Sequence, residues 1–277
     1  NGPEPELTQT QHAQPAIYLV GWIAFQLLRE RLPTLEFQAT AGLSLGEFTA
    51  LAAAQTFSFQ EGLTLVRQRG LAMQEACEQT QGAMAAIVGL DETPTRQVCA
   101  ETGVALANLN CPGQIVISGP AELIQRACDL ALTRGARKAV PLPVAGAYHS
   151  PLMAGAQARL AAALAAITLK TAVVPVISNV TAQPHGAPDQ IAALLVQQVT
   201  SSVAWESSIR NLLAQGFTRF IELGPGKALS GFLRRIDRHA QVFNIADVPS
   251  LEATVEALGK PPAAPGPAAS EPQAQAG

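Results

Sequence analysis

Apolar residues along this chain recur at two different periods, and the switching between them predicts its elements. Over residues 14–32, Ile17, Leu19, Val20, Ile23, Ala24, Leu27 and Leu28 return at spacings of three and four, which is an amphipathic helix stopped by Pro33. Residues 35–40 read as a short buried strand and 47–56 as an alanine-rich helix. A second long helix covers 59–80, with Leu63, Val66, Gly70, Met73 and Ala76 on one face. At residue 82 the texture changes. AMAAIVGL is a strand, 93–102 a helix, VALANLN and GQIVISG two strands joined through Cys111-Pro112-Gly113, 121–134 a helix and 137–143 a last strand. That β-α-β-β-α-β order predicts a ferredoxin-like subdomain at 81–143.

Helix and strand patterns resume afterwards. A loop at 144–150 leads to an alanine-rich helix at 151–166, the β-run VVPVISNV, helices at 190–200 and 205–215, a strand closing on FTRFIELGPG, a helix at 229–235 and the strand VFNIAD. Strands alternating with helices on both sides of an inserted unit predict an α/β fold whose core, 1–80 plus 144–259, has a mostly parallel sheet. Residues 260–277, made of Pro, Ala, Gly and Gln, read as a disordered tail or linker. The first residue is Asn and the first ten show no core periodicity, so a fragment or processed form is expected.

With 277 residues and 48% hydrophobic content, the chain can bury a substantial core. A net charge of −3 offers no basic stripe to a nucleic-acid backbone, and no apolar run reaches the roughly eighteen residues of a membrane span. Nucleic acid and membrane are therefore not expected partners, and no secretory signal is visible. Cys77, Cys99, Cys111 and Cys128 are spaced 22, 12 and 17 apart without a C-x-x-C pair. They read as reduced, buried thiols of a cytoplasmic protein, not as a metal site.

The candidate chemistry sits at Gly42-Leu43-Ser44-Leu45-Gly46, a G-x-S-x-G between the 35–40 strand and the 47–56 helix. This is the setting of a nucleophile elbow: a serine on a strained strand-to-helix turn, its hydroxyl at a helix N-terminus where backbone N–H groups stabilise an oxyanion. Both flanking glycines are expected to be required by close backbone approach. With that elbow the core is expected to be α/β-hydrolase-like. A serine nucleophile needs a base, and His12, His149, His185 and His239 are available. His12, His185 and His239 read as surface residues. His149, in the loop AGAYHSPLM between a strand and a helix, lies where active-site loops of α/β folds gather and competes with a capping or core role. Arg69, taken alone on its amphipathic helix, reads as solvated.

The blocks GLSLGEFTAL, VRQRGLAMQEA, GAMAAIVGL, NCPGQIVISGP, GAYHSPLM, PVISNVTAQP and ELGPGKALSGFLRR, in that order, resemble the malonyl-CoA:acyl carrier protein transacylases and the acyltransferase domains of polyketide and fatty-acid synthases, from residue 14 to about 247. The resemblance implies Ser44 as nucleophile, His149 as its base and Arg69 as the bidentate partner of the malonyl carboxylate. It also implies an oxyanion donor at the Leu45 N–H and a pocket lined by Asn110, Met73 and Tyr148. The implied partners are malonyl-CoA and an acyl carrier protein, with a monomeric enzyme, no cofactor and no metal. Three departures stand out. Leu43 replaces the usual histidine of the elbow, a first strand ending in G-Q-G-x-Q is not seen, and Ala204, before Trp205, replaces a glutamine whose backbone carbonyl orients the histidine, an acceptor expected to survive at Ala204. Aromatic Tyr148 before the histidine implies malonyl over methylmalonyl. An acyl hydrolase on the same scaffold and an inactive truncated fragment remain alternatives.

Overall fold

The computed structural model describes residues 2–259, so the expected tail lies outside the described residues. A short helix α1 (Glu4–Leu7) precedes α2 (Thr10–Arg31), strand β1 (Thr40–Ala41), α3 (Leu45–Ala53) and α4 (Phe59–Gln79). Then come β2 (Gly82–Val88), α5 (Glu92–Thr102), β3 (Ala105–Cys111), β4 (Gln114–Pro120), α6 (Ala121–Thr133) and β5 (Lys138–Pro141). A 3-10 turn at Pro151–Met153 leads into α7 (Ala154–Ala165), and β6 (Val176–Ile177), α8 (Pro188–Gln198), α9 (Trp205–Ala214), β7 (Arg219–Leu223), α10 (Ala228–Ile236), β8 (Gln241–Ile245) and α11 (Val248–Gly259) complete the chain.

The fold is mixed α/β, with parallel and antiparallel pairings. β2 to β5 form one antiparallel sheet in the order β3-β4-β2-β5, with Ala85, Ile87, Leu106, Ile115 and Ile117 of the sheet packed against Val98 of α5 and Ile124, Ala127 and Ala131 of α6. Parallel pairing occurs in two separate pieces, β1 with β6 and β7 with β8. The strand pairings of the core are thus parallel, as expected from sequence, but in two short pieces and not in one sheet. β1 and β6 pair over only two residues each, Thr40 with Val176 and Ala41 with Ile177, so the runs at 35–40 and 173–180 find ladder partners only at the end of the first and the middle of the second. The two halves of the molecule are stitched where Val203 lies alongside β3, with Val203 N–H donating to Ala107 and Leu109 N–H to Val203.

The main helical core joins α2, α3, α4, α7 and α8 around Tyr18, Phe48, Leu51, Leu65, Met73, Leu160 and Leu195. Glycine makes its closest helix pair possible: a Cβ at Gly62 would fall 2.0 Å from the Tyr18 hydroxyl, and one at Gly70 3.0 Å from Gln11 Cα. That approach turns α2 the opposite way from the sequence reading. Thr10, Gln14, Tyr18, Gly21, Ala24 and Leu28 are buried, while Ile17, Leu19, Val20, Ile23 and Leu27 are exposed. The apolar stripe was the more periodic signal, yet small and hydroxyl-bearing residues are what lets α2 lie flat on α4. Every cysteine is buried with a free thiol, and no helix among the described residues is long and apolar enough to cross a membrane.

Candidate active site

The elbow is a local consequence of Gly42. A Cβ there would lie 2.0 Å from the Gly46 carbonyl carbon and oxygen, so the turn closes only on glycine. Gly46 is different, since a Cβ on it would meet nothing within 4 Å; the expectation that both glycines are forced by close approach holds only for the first. Between them Ser44 adopts φ 53° and ψ −105°, a conformation that L-residues rarely populate. The strain is held by Asn179, beyond β6. Its Oδ1 accepts from the Ser44 N–H at 2.6 Å and its Nδ2 donates to the Gly42 carbonyl at 2.7 Å. The hydroxyl is thereby presented at the N-terminus of α3, where Leu45, as first helical residue, contributes an N–H that no carbonyl of its own helix can take.

His149 comes from the loop after β5 and, like Ser44, has positive φ, 58°. Its Nε2 lies 2.8 Å from Ser44 Oγ and its Nδ1 2.9 Å from the Gln198 carbonyl oxygen. A carbonyl can only accept, so Nδ1 carries the proton and Nε2 is free to take the serine's. Burial, reinforced by the positive charge of Arg69, pushes the His149 pKa down to about 4. The imidazole is therefore neutral at ordinary pH, the form a general base requires. The expected orienting carbonyl at Ala204 is corrected: Ala204 O accepts from the Ser208 N–H and Oγ inside α9, and Gln198, at the end of α8, supplies the acceptor instead.

Arg69 is corrected from solvated to buried, at 1% exposure. Its Nη1 donates to Gln14 Oε1 at 2.6 Å, and its Nη2 to Gln198 Oε1 at 2.8 Å and to Ser44 Oγ at 3.0 Å. Its guanidinium carbon lies 5.5 Å from the Phe48 ring centroid. Burial lowers its pKa to about 10, so it stays charged near neutrality. No carboxylate among the described residues forms an ion pair with it, and its buried Nε has no hydrogen-bond acceptor.

Of the remaining predicted residues, Met73 is buried in the helical core and its sulfur receives Gln14 Nε2 at 3.5 Å. Tyr148 packs where the helical core meets the antiparallel sheet, its hydroxyl bonded to Thr10 and Cys77, and burial raises its pKa to about 12. Asn110 is buried on β3, its Oδ1 without a partner among the described residues, and it makes no hydrogen bond to Ser44, His149 or Arg69. Leu43 packs into the cluster around Trp205 and Ile209. His12 and His239 are exposed, but the surface assignment of His185 is corrected: its side chain is 1% exposed and its Nε2 lies 2.6 Å from Glu47 Oε1. The main-chain N–H of His185 is tied to Val176 of β6, which draws the loop inward.

Gln14, Gln198, Asn179 and Glu47 were not singled out from sequence. Gln14 and Gln198 carried a usable signal, because each falls in register with a buried helical stripe, Thr10-Gln14-Tyr18 and Ile191-Leu195-Gln198. A cleft of about 500 Å³ opens beside this centre, lined by His149, Arg96, Leu106, Val180, Thr200 and Ser201 among others.

A strained serine at a helix start, a neutral histidine on its hydroxyl and a helix N-terminal N–H beside it are the parts that serine acyl transfer requires. The chain belongs to the acyl transferase domain family, whose pattern it matches over residues 1–252. It is 44% identical over 262 residues to the malonyl CoA-acyl carrier protein transacylase of Bacillus subtilis, covering 93% of this chain and 82% of that one. The structure of the malonyl CoA-acyl carrier protein transacylase from Coxiella burnetii superposes with a TM-score of 0.89 at 37% identity, over 92% of this chain and 82% of the other. A malonyl-transacylase solved in complex with its type II polyketide acyl carrier protein gives 0.89 at 34% identity, over 93% and 84%.

Proposed function

We propose that this protein is an acyl carrier protein S-malonyltransferase of fatty-acid or polyketide synthesis, with Ser44 as its acyl carrier. The observation that carries the site assignment is Arg69: a buried cation with an unfilled Nε donor, touching the nucleophile, with which no carboxylate among the described residues forms an ion pair. A malonyl group brings that carboxylate, and the Nε–Nη2 edge of the guanidinium takes it with two parallel hydrogen bonds once the Nη2 contact to Ser44 Oγ is given up. The thioester reaches Ser44 through the cleft beside His149. As Ser44 Oγ attacks the thioester carbonyl, its proton passes to His149 Nε2 and the oxyanion is held by the Leu45 N–H. Collapse breaks the C–S bond, and the coenzyme A thiolate leaves with the proton from His149. The carrier protein's phosphopantetheine thiol then gives its proton to His149 and attacks the seryl ester; Ser44 Oγ recovers the proton as the new thioester departs. Met73 and Tyr148 bound the acyl pocket, and Asn110 serves from β3. An acyl hydrolase would have no use for a buried arginine on its serine.

Within this reading the strand order β3-β4-β2-β5 supports a ferredoxin-like unit at 81–143 inserted in an α/β-hydrolase-like core. Four unpaired buried thiols favour the cytoplasm, and a monomer suffices because Ser44, His149 and Arg69 all come from one chain. The test is Arg69→Ala. Malonyl transfer should fall by about thirtyfold or more, as expected for truncating one partner of a buried charge pair, while acetyl transfer from acetyl-CoA is kept or rises. Equal loss with both substrates would overturn the assignment of Arg69 to carboxylate recognition.

A further inference from the structure

Glu47 places a buried carboxylate beside the centre, bonded to Gln198, and nothing in the acyl-transfer steps uses it. It lies on the third residue of α3, fully buried, and its two oxygens are committed on opposite sides. Oε1 receives His185 Nε2 at 2.6 Å. Oε2 receives Gln198 Nε2 at 2.6 Å and the Asn179 N–H at 3.3 Å. Gln198 in turn touches every active group. Its main-chain carbonyl holds His149, its Nε2 also donates to the Ser44 carbonyl at 2.9 Å, and its Oε1 faces Arg69.

A primary amide presents donors at one end and an acceptor at the other, and its two orientations are nearly the same shape. What makes one of them correct here is what each end faces. Glu47 Oε1 accepts from His185 and Oε2 from the Asn179 N–H, so Glu47 takes the Gln198 amide nitrogen on its own side and sends the amide oxygen to the guanidinium. The reverse orientation would set an NH2 against Arg69 and an oxygen against Glu47, two repulsive contacts in a buried site. His185 is the outer end of this chain. Pinned to β6 through its main chain, it holds Glu47 Oε1 and so leaves Oε2 for Gln198.

We propose that His185 and Glu47 are positioning residues that fix the polarity of the Gln198 amide and thereby aim Arg69 at the acyl carboxylate. They act on substrate selection more than on proton transfer, because His149 is held by the Gln198 main chain, which an amide reversal leaves in place. The proposal rests on the reading of Ser44 and Arg69 given above.

The experiment measures kcat/KM for acylation of Ser44 by malonyl-CoA and by acetyl-CoA in wild type, His185→Leu, His185→Gln and Glu47→Gln. Wild type tests the underlying reading by itself, since absence of a malonyl preference there would refute the role of Arg69 whatever the variants do. Given that preference, His185→Leu should lower the malonyl-to-acetyl ratio by about tenfold or more, the factor carried by one lost charge-assisted hydrogen bond, chiefly through the malonyl KM. His185→Gln, which keeps a donor within reach of Glu47, should restore most of the ratio. Glu47→Gln, of the same shape but able to face Gln198 with either end, should lower the ratio too, and it decides the matter if His185→Leu does not fold. Equal loss for both thioesters, or an unchanged ratio in Glu47→Gln, would overturn the proposal and leave the pair a brace for the elbow.

Discussion

The proton affinity of His149 gives the site its sharpest pH dependence. An unperturbed imidazole titrates at 6.5, whereas burial and Arg69 bring His149 down to about 4. The gap of about 2.5 pH units corresponds to roughly 3 kcal/mol of preference for the neutral ring. Acylation of Ser44 by an uncharged ester such as p-nitrophenyl acetate avoids titration of the substrate. The kcat/KM profile of that reaction reports the free enzyme. It should stay flat from pH 8 to about 5 and fall to half near 4. Arg69→Met removes the second cause of the depression and should shift the midpoint upward. A wild-type midpoint near 6.5, or a midpoint unmoved in Arg69→Met, would refute the account of the base. Stability follows with a definite sign. The native state refuses a proton that the unfolded chain accepts below 6.5, so this group costs nothing above that pH. It removes stability progressively as pH falls toward 4, to a limit of roughly 3 kcal/mol. Urea unfolding between pH 7 and 4.5 should accordingly be steeper in pH for wild type than for His149→Gln.

Gly42→Ala should abolish Ser44 labelling and lower the melting temperature markedly, because the added Cβ would sit 2.0 Å from Gly46 backbone atoms; a well-folded, labelled variant would show that the turn can open. Asn179→Ala leaves the Ser44 N–H and the Gly42 carbonyl without partners and should cost about 1 to 3 kcal/mol in denaturant unfolding, with acylation slowed as well. Tyr148→Ser should shift kcat/KM toward methylmalonyl-CoA by about ten- to a hundredfold if the ring occupies the space of an α-methyl, and an unchanged ratio would assign that exclusion to another residue.

How far the site could be read from sequence depended on which residues carry a local signature. Ser44 announces itself because the elbow needs Gly42 two residues before it, and the apolar face of 59–80 predicts α4 to within a residue; the structure adds a capping box at Ser58 and Glu61 that fixes its start. Arg69 on that helix reads as solvated from periodicity alone, which says nothing of which arginine turns inward; only the family blocks single it out. The reversal of α2 has a related cause. Periodicity registers the Ile17, Val20, Ile23 and Leu27 stripe, while the packing is decided by glycines far off in sequence, Gly62 against Tyr18 and Gly70 against Gln11. β1 and β6 shrank to two residues each because strand length is set by the partner, which propensity cannot see. His185 escaped notice for the opposite reason: a histidine in a Pro- and Gly-rich loop looks solvated, and only the bond of its main chain to Val176 brings it under the elbow.

The central claim is that one serine carries the acyl group, and the direct measurement is the intact mass of the protein after brief incubation with malonyl-CoA, followed by peptide mapping. A single malonyl adduct on Ser44, absent in Ser44→Ala and discharged by the phosphopantetheine thiol of an acyl carrier protein, is the expected result. An adduct that persists in Ser44→Ala, or that maps to Cys77 or another thiol, would contradict it.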